Sequence, residues 1–220
     1  MFKSILAIML VGSLALGCGG SGDTTTPLKV TAMVANVSGL NTTAIAVTVT
    51  ESGSAVTDAA VTVAGQTVPH SSGGDYVLAY SPAIAEGATV SLSVTRNGVT
   101  VSGSVIMPEE PTVTQPVPLS VYDSTLPITV AWNAMSFTPD NVEVGVDGAY
   151  TVSGTTWTAT VPGTATTVDI PAFTLSPGQT DVYVPVIPTN KTQSLGSNAE
   201  AGSELTAAFT GVGGPFSTAP

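Results

Sequence analysis

The chain has 220 residues, a formal net charge of −11 and only 9% charged side chains. After Lys3 the strong cations are Lys29, Arg96 and Lys191, too few to neutralise a run of phosphates, so nucleic acid and anionic headgroups are excluded as charge-driven partners. Hydrophobic residues make up 43%, enough for a core, and Thr and Val dominate where helix-surface residues are scarce, so the fold class is all-β. Cys18 is the one cysteine, and no intrachain disulfide can form.

The chain begins with Lys3 and an apolar run over residues 5–16, ending in Leu14-Ala15-Leu16-Gly17-Cys18. That run is too short to cross a bilayer, which takes about 20 apolar residues, and has the proportions of a signal peptide. The arrangement resembles a bacterial lipoprotein signal with its lipobox over residues 1–17. The resemblance implies that Cys18 is acylated and becomes the first residue of the mature protein. It also implies, from Gly19 after the cysteine, anchoring in the outer membrane with the folded part periplasmic or exposed at the cell surface. Residues 18–27, Gly- and Thr-rich up to Pro27, are a flexible polar tether.

From 28 to 108, period-2 alternation recurs at short intervals. Leu28, Val30, Ala32 and Val34 share a face, as do Ile45, Val47 and Val49; Val61 and Val63 flank Thr62. Tyr76, Leu78 and Tyr80 alternate with Val77 and Ala79, which predicts a strand buried on both faces. Val90, Leu92 and Val94, then Val99, Val101 and Val105, complete the set. Asn97-Gly98 between the last two runs supplies the two positive-φ positions of a type I′ turn and predicts a hairpin. The spacing reads as a small β-sandwich. The stretch from Val47 to Val63, followed by Gly74-Asp75-Tyr76, resembles carboxypeptidase-regulatory and Cna-B-like repeats, and a bacterial immunoglobulin-like domain fits nearly as well.

Residues 109–118 carry Pro111, Pro116 and Pro118 and read as a semi-rigid linker, with an edge strand as the alternative for part of it. Alternation resumes over 119–210: Ile128-Val130-Trp132, Val142-Val144-Val146, Tyr150-Val152, Trp157-Ala159-Val161, Val168-Ile170, Val182-Val184-Val186 and Leu205-Ala207-Phe209. Ile128-Thr-Val-Ala-Trp132, Thr167-Val-Asp-Ile-Pro171, Leu175-Ser-Pro-Gly178 and Tyr183-Val-Pro-Val186 together resemble a fibronectin type III module. The family's corner tyrosine would fall at Asp181, whereas Tyr183 lies two residues later; either Val182 takes the core slot through an insertion or the corner is missing. Residues 211–220, rich in Gly, read as a flexible tail. The expectation is two tandem immunoglobulin-like or fibronectin-III-like antiparallel β-sandwiches, each with a complete pattern of its own.

Chemistry-bearing residues are sparse. His70, the only histidine, sits in a turn-rich stretch and reads as a surface residue; no nucleophile-elbow motif accompanies it. One histidine and one cysteine at the lipidation position rule out a zinc site by spacing. Asp140, Glu143, Asp147, Asp169 and Asp181 match no calcium-loop motif, and Asp140-Asn141 and Asp147-Gly148 suit turns. Of the aromatics Tyr76, Tyr80, Trp132, Tyr150, Trp157 and Tyr183, the two tryptophans are read as core. Asn36, Asn41 and Asn190 head glycosylation-type triplets that a bacterial lipoprotein leaves silent. No catalytic residue, metal or cofactor is expected, and the ligand is unknown. The reading is a lipid-anchored, non-catalytic structural or adhesive module with the membrane, through Cys18, and a surface protein or polysaccharide as partners; a carbohydrate-binding accessory protein is the alternative.

Overall fold

The computed structural model describes residues 26–192 and 194–220; the leader, Cys18 and almost all of the tether lie outside them. The β-branched alternation folds as strands throughout. The first half holds β1 (Leu28–Val37), β2 (Thr43–Glu51), β3 (Ser54–Ala55), β4 (Ala60–Val63), β5 (Gln66–Thr67), β6 (His70–Ser72), β7 (Asp75–Tyr80), β8 (Thr89–Arg96) and β9 (Val99–Ile106). The second holds β10 (Val113–Gln115), β11 (Val121–Asp123), β12 (Ile128–Trp132), β13 (Asn141–Val146), β14 (Trp157–Pro162), β15 (Thr167–Ile170), β16 (Val182–Thr192) and β17 (Glu204–Ala219).

Burial follows the pleat. Along β1, Leu28, Val30, Ala32 and Val34 are buried and every second residue is not, and β2 repeats the pattern. The β8–β9 hairpin pairs Arg96 with Val99 across Asn97 and Gly98, whose φ values of 48° and 78° are those of the type I′ turn. β7 departs from the expectation of double burial. Val77 is 44% exposed and Ala79 is exposed as well, because no second layer covers the outer face of that sheet.

The strands form two β-sandwiches. One apolar cluster lies between β1-β2-β7-β6 and the four-stranded sheet β5-β4-β8-β9. The other lies between β10-β12-β15 and β14-β13-β16-β17. Both are immunoglobulin-like β-sandwiches, antiparallel except where β17 pairs with β1 and β11. Each buried Val or Leu removes apolar surface worth about 1.5–3 kcal/mol from water.

The boundaries between them differ from the sequence reading. β17 runs 16 residues and belongs to both sandwiches. Its first half pairs in parallel with β1, from Thr31↔Glu204 to Val37↔Thr210, and its second half pairs with β11 and the start of β16. A single ten-stranded sheet therefore passes through the whole molecule. The first core is completed by Leu195, Leu205 and Ala207, all from beyond residue 190. It is not closed by residues 28–108 alone.

Residues 211–220 are likewise no flexible tail. Residues 211–219 are strand, and Phe216 is 1% exposed in the second core. The glycines that made this stretch look loose are there for close approach. A Cβ on Gly211 would lie 2.6 Å from Pro111 Cγ, and one on Gly213 would lie 2.5 Å from Val113 Cγ1. The linker crosses β17 at these two positions, and its residues 113–115 become β10, an edge strand paired with β12. Further contacts seal the junction: Asn190 Nδ2 donates to Ile106 O at 2.8 Å, and Glu110 N donates to Glu86 Oε1 at 3.2 Å.

Residues 148–152 are also not a strand. Gly148–Tyr150 is a 3-10 turn, capped by Asp147 Oδ1 accepting from Ala149 N at 2.9 Å, and only Thr151 makes a bridge, to Leu175.

Candidate functional site

The register fixes at which end of the molecule Leu28 lies. Leu28 N donates to Asn198 O, and Glu200 N donates to Leu28 O, so the chain enters beside the start of β17. β17 then runs away from that point for 16 residues, about 50 Å at 3.3 Å per residue, into the second sandwich. Its last residue, Ala219, pairs with Asp123 and accepts from Ser124 N; Ser124 O accepts from Phe173 N, and Val152 N donates to Thr174 O. Val152 and Phe173 therefore sit at the pole opposite Leu28.

This tip is apolar and shaped. Phe173 is 68% exposed, Val152 63% and Leu126 57%. A cleft of about 380 Å³ lies between Val152, Ser153, Thr155, Thr156, half-buried Trp157, Phe173 and Thr174. Thr151 Oγ1 donates to Thr155 O at 2.8 Å, and the Ser153 and Thr155 hydroxyls meet at 2.8 Å, which folds the 151–155 loop back on itself. Phe173 has φ 61°, the left-handed region that bulky side chains avoid, at a cost of about 1–3 kcal/mol. Its N–H bond to Ser124 O holds that conformation and keeps the ring in solvent. The lining offers aromatic surface and neutral hydroxyls and no titratable group. Such a surface stacks and hydrogen-bonds; it has nothing that transfers protons.

The other candidate residues are dispersed. His70 is exposed on β6, its Nε2 2.8 Å from Gly73 O and its ring edge-on to Tyr76 at 5.3 Å. Asp140 Oδ2 accepts from Lys191 N at 2.7 Å, Asp169 Oδ1 accepts from Thr129 Oγ1 at 2.7 Å, and Asp147 caps the 3-10 turn. Glu143 lies on β13, and Asp181 has φ 56° in the turn before β16. Among the described residues, no three His, Cys, Asp or Glu side chains are placed to share a metal ion. Asn36 is buried at 1%, donating to Ile84 O and accepting from Thr43 Oγ1. Trp132 is core, with its Nε1 lacking a partner. Val182 is fully buried and Tyr183 is 41% exposed, so of the two alternatives Val182 takes the core slot.

Three groups titrate away from their ordinary values. Burial pushes the Tyr80 hydroxyl up against an opposing bond from Thr43. Partial desolvation pulls the Arg96 guanidinium down, but bonds and charge from Asp58 and Glu51 outweigh it and hold it above its usual value. The Thr125 hydroxyl and backbone hold the Asp123 carboxyl below the usual range. The Arg96 cluster, with Glu51 at 2.5 Å and Asp58 at 2.7 Å, ties the β2 and β8 sheets at the tether pole and is structural.

Sequence reasoning missed the tip. Phe173 carries no sequence signal, because its exposure follows from one backbone bond made across the fold. The uncharged run from Gly148 to Val168 was the available hint.

Neither a scan of protein-family models nor a search of curated proteins finds a match. Among solved structures, the chain is similar to the chicken CNTN1 FN1–FN3 domains at 9% identity and a TM-score of 0.29, covering 83% of this chain and 66% of that one, just under two thirds. An overlap that loose carries no argument, and the fold rests on the strand order of the chain itself.

Proposed function

We propose that the protein is a lipid-anchored envelope module whose work is adhesive and non-catalytic. Acylated Cys18 holds it to the outer membrane, residues 19–27 give it reach, and the fused sandwiches hold the tip away from the bilayer. The supporting observation is the polarity of the molecule: the tether enters at one pole, and the exposed cluster of Phe173, Val152 and Leu126 lies at the other. Exposed apolar patches of this kind mark interaction surfaces. Replacing Cys18 with Ser is expected to move the protein from the membrane to the soluble fraction or to block leader cleavage. A variant that stays membrane-bound with a normally trimmed N-terminus sinks the anchoring.

A carbohydrate ligand at the tip is the second reading, favoured by Trp157 and Phe173 beside the hydroxyls of Ser153, Thr155, Thr156 and Thr174. Titration calorimetry with envelope polysaccharide is the check. Heat that survives Phe173→Ala unchanged argues against it.

A further inference from the structure

We propose that two copies pair through β14, edge to edge and antiparallel, so that their tethers point in opposite directions. Among the described residues nothing pairs with the outer edge of β14, since the strand ends the ten-stranded sheet. Gly163 N donates to Asp140 O just beyond the strand. Alternation from that bond turns the backbone groups of Trp157, Ala159 and Val161 toward β13 and those of Thr158 and Thr160 outward. Other long edges are covered: along β9, Ser102 N bonds Leu195 O and Asn198 Nδ2 bonds Thr100 O.

A second copy fits this edge through its register. With Ala159 on the two-fold axis, Thr158 faces Thr160 of the second copy and the two residues exchange both backbone bonds, giving four bonds by symmetry. Trp157 then faces Val161, so half-buried residues meet half-buried residues and exposed threonines meet threonines. A one-residue slip would set the outward groups of one copy against the already bonded groups of the other.

Charge gives the same answer. Two chains of net charge −11 repel, and residues 148–168 hold no charged side chain, so this edge is where two copies approach at least cost. β14 carries no charge and no Lys, and its one edge-blunting residue is Pro162 at its end, which leaves Thr158 and Thr160 open to a partner strand.

β14 runs along the long axis from the tip toward the first sandwich, being antiparallel to β13 and so parallel to β16. Antiparallel pairing of two β14 strands therefore lays two second sandwiches side by side and puts the tethers at opposite ends. This suits copies anchored on two facing surfaces. The orientation rests on the anchoring proposed above; the pairing does not. A contact this narrow is of the weak class, below about 1,200 Å², and many copies on a surface would multiply it.

The test uses the chain from residue 19 to 220, which contains every described strand. Sedimentation velocity up to about 200 µM, where such small contacts associate, should show a reversible dimer. Ala159→Cys should oxidise to a disulfide-linked dimer, because the register sets Ala159 opposite itself at a Cα separation of about 4.5 Å. Thr160→Cys should not, since it faces residue 158. Thr160→Lys, an exposed substitution, should weaken the dimer about threefold, because the two lysines lie diagonally across the seam about 7–8 Å apart, while leaving the melting curve in place. Beads loaded through an N-terminal biotin should clump, and beads bearing Thr160→Lys should stay dispersed. A monomer at every concentration overturns the pairing, as does a dimer indifferent to Thr160→Lys or cross-linking of Thr160→Cys as fast as Ala159→Cys. A solution dimer whose beads stay dispersed overturns the opposed orientation. Residues 19–220 monomeric at every concentration, with the full-length chain lipidated on Cys18, refutes the pairing and leaves the anchoring standing.

Discussion

Replacing Phe216 with Ala tests whether the last ten residues hold the second sandwich together. The ring is 1% exposed, inside the cluster with Val182, Val184 and Trp132. It also meets Tyr122 edge-on at 5.5 Å. Tyr122 in turn accepts from Val117 N at 2.8 Å and donates to Gln115 Oε1 at 3.0 Å, so the ring also positions the tyrosine that fastens the linker. Truncating a buried Phe costs about 3–5 kcal/mol, and a lost aromatic pair adds about 0.5–1.5 kcal/mol. Two sandwiches sharing a strand form a unit that loses about 2–4 °C per kcal/mol, so the transition should fall by more than about 6 °C. Differential scanning calorimetry reads that shift directly, with the near-ultraviolet dichroism of Trp132 reporting on the same core. A substitution in a solvated tail would change stability by less than about 0.5 kcal/mol. A shift under about 3 °C would refute the placement of Phe216 and with it the shared strand.

Residues 26–108 expressed alone should show no cooperative melting, because Leu195, Leu205 and Ala207 are missing from their core; a sharp transition by circular dichroism would contradict this. Asn36→Ala should lower the urea midpoint by about 1 M at constant slope, since it strands Ile84 O and removes the acceptor of Thr43 Oγ1, a loss of about 1–3 kcal/mol. The Asp123 carboxyl is held low by Thr125, so its contribution is complete above the unfolded value of about 3.9 and fades as pH falls through the folded one. Melting of Asp123→Asn against the parent should therefore differ at neutral pH and converge as pH falls through the folded value; a gap that widens in acid would reverse the sign.

The sequence by itself determined what depends on near neighbours. Alternation of Val, Ile and Leu with Thr and Ser sets which face of each strand is buried, because side chains alternate strictly across the pleat. That was enough for β1, β2, β8, β9, β12 and β13, and for the Asn97-Gly98 turn, whose positive φ values those residues tolerate. Two sandwiches follow from two such series. Tertiary structure decided what depends on residues far apart in the chain. β17 serves both sandwiches because a strand has two edges as well as two faces, and alternation describes only the faces. Gly211 and Gly213 look like loop residues until Pro111 and Val113 are seen crossing them. Val77 and Ala79 face water although they are apolar, because nothing among the described residues folds over that side of β7. The apolar tip exists because β17 carries the second sandwich to the pole opposite Leu28, and because one long-range bond, Phe173 N to Ser124 O, holds an aromatic ring outward. Which pole of the molecule carries Leu28 and which carries Phe173 is a property of strand direction and register, and these are fixed only when the distant strands pair.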